Sequence, residues 1–169
     1  MSEKSINQFP LVTDVEDGDL VLIQRGDFYK SISVTNLGNG LYNAQLTLTS
    51  AQILLLQTTP IEIIAAQGAG TTVELLFASA LITFNSIAYV AAGNLRFKYT
   101  GGADANFLMN FDNSFLVSAA TLRHRANRSG VTYFAELENT GISVFVSTAD
   151  PTTGNSTVVI NALFQIQKL

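Results

Sequence analysis

Glu136 and Glu138 stand two positions apart in a stretch that reads as a strand, so both carboxylates fall on one face about 7 Å apart. An inverting glycosidase needs such a pair, one carboxyl to protonate the leaving group and one to activate water. Their neighbours Thr132 and Phe134 build no sugar subsite, and any solvated strand face can carry the same spacing. The single histidine, His124, sits between Arg123 and Arg125, with Arg128 close behind. Those cations disfavour imidazolium and offer no carboxylate to orient the ring as a general base. Asp14, Glu16, Asp17 and Asp19 imitate a calcium loop, yet the glycine is misplaced and Arg25 occupies the position of the bidentate glutamate. With no cysteine, thiolate metal sites and thiol nucleophiles are excluded. Gly68-Ala69-Gly70 leads into strand residues and not a helix, the wrong context for a phosphate loop. No enzyme, metal or cofactor is expected.

Arg123, Arg125 and Arg128 gather three of the nine basic residues into one short stretch. Guanidinium groups suit bidentate carboxylate contacts at interfaces, so these three are expected to pair with Glu136 and Glu138 on a neighbouring strand or subunit. The competing use is a surface for an anionic glycan or an acidic patch on a partner. Arg25-Gly26-Asp27 matches an adhesion tripeptide, but its glycine has a structural task in a hairpin turn.

Charged residues make up 13% of the 169 positions and apolar ones 47%. Soluble domains usually carry about 25% charge. The net charge of −4 gives no pull toward nucleic acid or an anionic membrane. The apolar run Leu75–Phe84 is broken by Ser79 and Thr83 and is too short to span a bilayer. Subunit interfaces are the better explanation for the surplus of apolar surface.

The elements that would position these residues are strands. Leu20–Gln24 and Phe28–Val34 form a hairpin around Arg25-Gly26-Asp27, and Gly38-Asn39-Gly40 marks a boundary after it. Two strands are marginal alone, so residues 1–40 are expected to attach to another surface through Leu20, Leu22, Phe28, Tyr29, Ile32, Val34 and Leu37. Residues 41–169 hold the rest: a strand at Ala44–Leu48, then a capping box Thr49-Ser50-Ala51-Gln52 with a helical turn through Ile53–Leu56. Ile61–Ala65 is expected to pair with Thr72–Thr83 as a hairpin. Leu95, Phe97 and Tyr99 alternate with Arg96 and Lys98, one face buried and one wet. Phe107–Phe111, Tyr133–Leu137 and Ile142–Val146 alternate in the same way, and the long Ser156–Leu169 run belongs in the middle of a sheet. Seven or eight strands with little helix indicate an all-β, antiparallel β-sandwich of jelly-roll type with a short N-terminal hairpin.

Gln8-Phe9-Pro10 through Asp14, Gly18–Ile23 and Lys30–Leu37 resemble the anchoring module that opens many tailed-bacteriophage fibre and appendage proteins. Leu46–Ile63, Ala66–Gly70, Phe84–Tyr89 and Asp150–Gly154 together resemble a phage structural domain. The resemblance implies a virion protein of the small head-fibre or capsid-decoration type, with a jelly roll that forms a homotrimer and an N-terminal segment that docks on other virion proteins. It brings no catalytic residues. The other class of function is a tip that binds a host-surface glycan or receptor, for which the absence of Trp removes the commonest sugar-stacking side chain. No long shaft separates the two parts.

Overall fold

The computed structural model describes residues 20–25, 28–33, 40–90, 93–128 and 137–169. The chain divides into two units, Met1–Gly40 and Leu41–Leu169. In the first, β1 (Leu20–Arg25) and β2 (Phe28–Ser33) pair antiparallel, with Leu20 opposite Ser33 and Arg25 opposite Phe28. Leu20, Leu22, Phe28, Tyr29 and Ile32 lie on this ladder. Val34, Leu37, Gly26-Asp27 and the acidic run Asp14–Asp19 lie outside the described residues.

The second unit is a sandwich of two antiparallel sheets. One has the order β3 (Leu41–Leu48), β11 (Thr157–Lys168), β5 (Thr71–Thr83), β8 (Leu122–Arg125). The other has the order β4 (Ile61–Ile64), β10 (Ile142–Val146), β6 (Leu95–Tyr99), β7 (Phe107–Phe111), β9 (Asn127–Arg128). β8 and β9 are two halves of one strand that changes sheet at Ala126, whose amide donates to the Ala78 carbonyl. Counted that way, the eight strands among the described residues of this unit interleave between two sheets in jelly-roll order. The expected sandwich is therefore present, and the last long strand lies centrally, flanked by β3 and β5.

Period-2 patterning places the core. Val73, Leu75, Ala78, Ala80 and Ile82 of β5 and Val158, Ile160, Ala162 and Phe164 of β11 point inward. Leu95, Phe97, Met109, Phe111, Ile142, Val144 and Val146 come from the opposite sheet. The inward alanines leave room for facing aromatic rings, and Phe111 lies with its ring centroid 5.8 Å from Phe97 and 5.2 Å from Phe115. Phe115 belongs to the short helix α2 (Asn113–Leu116), which the sequence patterning does not anticipate. Each large side chain so buried stabilises the fold by about 1.5–3 kcal/mol.

Three local expectations fail for stated reasons. Ile61–Ile64 does not form a hairpin with β5; it pairs with β10 in the other sheet. Both flanks of β5 are occupied by β11 and β8, so the 65–70 loop crosses the sandwich instead of turning back. The capping box forms, with Gln52 N donating to Thr49 Oγ1 and Thr49 N to Gln52 Oε1. Because its third residue lies inside the first turn, helix α1 spans Ser50–Ile53 and not Ile53–Leu56. The outer face of β6 is not wet at Lys98, which is 8% exposed. Its Nζ lies 2.6 Å from Asp104 Oδ1 and 4.8 Å from the Phe145 ring centroid, which turns an outward-facing phenylalanine into a fully buried one. Of the expected Tyr133–Leu137 strand, Tyr133 and Ala135 lie outside the described residues, and Leu137 precedes a turn.

Candidate functional site

The arginine stretch falls on β8 and β9, at the edge where the chain changes sheet. His124 points inward and Arg123 and Arg125 point outward, as alternation along a strand requires. The His124 ring lies 6.1 Å from Phe115 and its buried Nδ1 has no hydrogen-bond partner, so no carboxylate orients it for catalysis. Arg123 and Arg125 are exposed, and the Arg125 guanidinium lies 5.9 Å from the Phe77 ring. Neither belongs to an ion pair among the described residues. Arg128 Nη2 lies 3.8 Å from Glu74 Oε1, an exposed contact worth about 0–1 kcal/mol.

Glu138 has a different task from the one its spacing suggests. Its Oε1 accepts the Gly70 amide at 2.6 Å, while Asn139 Oδ1 accepts the Gly68 amide at 2.9 Å. These bonds clamp two loops at the end of the sandwich where β3 begins. Within the chain Arg128 turns to Glu74 and Glu138 to Gly70, so these two do not pair with each other. Glu136, and with it the two-carboxylate geometry, lies outside the described residues.

Sequence reasoning missed a second constellation, at the opposite end. Four loops close it side by side: residues 49–60, 147–156, 84–90 and 112–121. Asp150 links the first two, its carboxylate accepting the amides of Gln57 (2.7 Å) and Thr58 (3.2 Å) and the Thr58 hydroxyl (2.8 Å). Asn155 links the second to the third: its Oδ1 accepts the Ser86 and Ile87 amides, its Nδ2 donates to Ser86 Oγ, and its own amide donates to the Ile87 carbonyl. Phe84 N donates to Thr121 Oγ1, which joins the third to the fourth. The Tyr89 ring is buried beneath them, with its hydroxyl donating to the Ser156 carbonyl. This cap exposes Leu55, Ile87, Val90 and Val117. Its four loops contain two charged residues, Asp112 and the hydrogen-bonded Asp150. Asp-Pro and Gly-Asn signals announce the turns, but nothing local shows that they lace together.

The cap sets a pH window. Desolvation alone would raise the Asp150 carboxyl, but the bonds from Thr58 Oγ1 and the two amides outweigh it and hold the group below its ordinary range. Its contribution to stability is present above the ordinary aspartate range and is lost as pH falls through the depressed value. Burial pushes the Tyr89 phenol up to about 12, so stability is full below its ordinary value of 10.0 and declines as pH rises toward 12. Thermal melts across pH are expected to show both flanks, with Asp150→Asn removing the acid flank and leaving the alkaline one. An unchanged acid flank in Asp150→Asn would count against the clamp.

No metal-holding group of three or more His, Asp or Glu occurs among the described residues, and no helix there is long and apolar enough to cross a membrane. No protein-family model matches the chain, and no curated protein matches it. Among solved structures it is similar to a cyanophage Pam1 capsid asymmetric unit at 10% identity and a TM-score of 0.48, over 98% of this chain and 99% of that one.

Proposed function

We propose that the chain is a non-enzymatic structural component of a bacteriophage virion, of head-fibre or capsid-decoration type. Residues 1–40 attach it to other virion proteins, and residues 41–169 are displayed as a homotrimer. The observation that carries this reading is the organisation of the chain: a jelly roll that packs its own core, joined at Leu41 to a separate unit with a two-stranded ladder. A two-stranded ladder is marginal by itself and gains stability by docking. The phage-like motifs along both parts of the sequence supply the setting. Arg123, Arg125 and Arg128, with Glu136 and Glu138, are assigned to contacts between subunits, where Arg128 and Glu138 serve beside the contacts they make to Glu74 and Gly70 within the chain. A glycan-binding tip has less support, because the exposed large apolar side chains of the four-loop cap are aliphatic and not aromatic.

Light scattering on the intact protein is expected to give three times the 18.2 kDa chain mass. Deleting residues 1–37 is expected to leave a β-rich circular dichroism spectrum while abolishing co-sedimentation with phage particles. A truncated protein that still binds particles would sink the attachment role, and one that fails to fold would misplace the boundary.

A further inference from the structure

β8 ends the β3-β11-β5-β8 sheet, and among the described residues no strand pairs with its far side. The Ala126 amide donates to the Ala78 carbonyl at 2.9 Å, which continues the register that sets His124 opposite Ala80 and Leu122 opposite Ile82. Hydrogen-bonded pairs alternate with non-bonded ones along an antiparallel ladder, so Leu122, His124 and Ala126 spend their backbone groups on β5. The N–H and C=O of Arg123 and Arg125 therefore point away from β5, into the open edge. No backbone partner meets them there among the described residues. Their side chains stand two positions apart on the outer face, exposed and without ion-pair partners among the described residues. Both the main chain and the side chains of these two arginines are thus unspent. A strand that adds to this edge gains most if it carries a carboxylate opposite each arginine. Between the two carboxylates it needs an apolar residue, level with His124 and beside the half-buried Leu122 and Ala126. Residues 41–169 contain one pair of acidic residues two positions apart, Glu136 and Glu138, and Leu137 stands between them.

We infer that Glu136-Leu137-Glu138 of one copy adds as a strand to the β8 edge of the next. The inference rests on the assignment of these residues to contacts between subunits and gives that contact its form. Antiparallel addition, the sense of every pairing in this sheet, sets Glu136 opposite Arg125, Leu137 opposite His124 and Glu138 opposite Arg123. The open backbone groups of both arginines then gain strand partners, and each guanidinium gains a carboxylate. Glu138 can serve in two places, because the Gly70 amide takes Oε1 and leaves Oε2 for Arg123. Self-pairing of the edge is disfavoured, since β8 laid against β8 would set arginine against arginine. The contact joins two unlike surfaces, an edge on one copy and a separate segment on another. Such a heterologous contact repeats head to tail and closes into a ring, which suits a trimer and not a two-fold pair.

The test uses the intact chain and light scattering. The wild type is expected to be a trimer, and Arg125→Glu is expected to fall to single chains with an unchanged circular dichroism spectrum. Adding Glu136→Arg to Arg125→Glu is expected to restore the trimer, because the exchanged charges again face each other. Adding Glu136→Arg to Arg123→Glu is expected not to restore it. Because the chain has no cysteine, a second measurement is available should the charge variants misfold. His124 and Leu137 would form a non-hydrogen-bonded pair with α-carbons about 4.5 Å apart, within reach of a disulfide. The double variant His124→Cys, Leu137→Cys is expected to give covalent dimers and trimers on a non-reducing gel after mild oxidation. A trimer that survives Arg125→Glu, a charge exchange that restores nothing, or a disulfide closed within single chains overturns strand addition and leaves the trimer reading standing. Restoration through Arg123→Glu with Glu136→Arg overturns the antiparallel register. A monomeric wild type overturns the trimer reading, and strand addition between copies with it.

Discussion

Replacing Phe111 by alanine is expected to cost the jelly roll about 3–5 kcal/mol, the range for emptying a fully buried aromatic site. The ring has no exposed surface and stands between Phe97 and Phe115. Its strand, β7, is hydrogen-bonded on one side to β6 over Leu95–Lys98 and on the other, among the described residues, to Asn127 and Arg128 of β9. The cavity therefore opens beside β9, and the short helix carrying Phe115 loses its contact with the Phe111 ring. Urea denaturation followed by near-ultraviolet circular dichroism would measure the loss. A change below about 1 kcal/mol would mean that neighbouring side chains collapse into the space, contrary to a tightly packed core.

Gly154→Ala is expected to cost about 2–4 kcal/mol from combined overpacking and backbone strain. Gly154 has φ of +121°, a region that L side chains rarely adopt, and a β-carbon there would lie 2.2 Å from Cδ1 of Tyr89. The tyrosine cannot step aside without giving up its bond to the Ser156 carbonyl, buried under the cap. Neighbouring Asn155 holds the 84–90 loop, so the displacement would spread to the exposed Ile87 and Val90. A melting temperature lowered by several degrees, with the Tyr89 fluorescence environment altered, is the expected reading. Gly68→Ala offers a control: its φ is also positive, but a β-carbon there meets no atom within 4 Å. Equal losses at both sites would assign the damage to backbone strain alone.

The strands of the sandwich were legible because burial on one face writes a period of two into the sequence. β5, β6, β7, β10 and β11 all carry it, and β11 is long enough to declare its central place. Pairing between strands was not legible in the same way. Ile61–Ile64 reads as the natural neighbour of β5, and only the competition of β11 and β8 for its two flanks sends it to the far sheet. The Arg123–Arg128 stretch declares its charge and hides its strand, since arginines and a histidine do not resemble a β pattern until Leu122, His124 and Ala126 are read as the inward set. Glu138 shows the limit of spacing as a guide to chemistry. Two glutamates at a catalytic interval look alike whether they hold water or a glycine amide, and the partner that decides it, Gly70, is 68 positions away. Asp150 reads as the start of an Asp-Pro turn, and its clamp is hidden for the same reason, its partners lying 92 and 93 positions upstream.

The pairing of β3 bears on how the jelly-roll domain carries load. Its eight residues form a continuous ladder with β11, from Leu48 opposite Val158 to Leu41 opposite Gln165. A pull on residue 40 along the strand axis would shear all of these rungs together instead of opening them one at a time. On the far side β11 is held by β5 along its whole length, so the strand under tension is braced by the longest pairing in the protein. Resistance to such a pull is governed by the unfolding rate and not by equilibrium stability. Pulled through Leu41, the domain would thus resist unfolding more than its modest size suggests, and the rungs of β3, more than the distant cap, would set the force at which it yields.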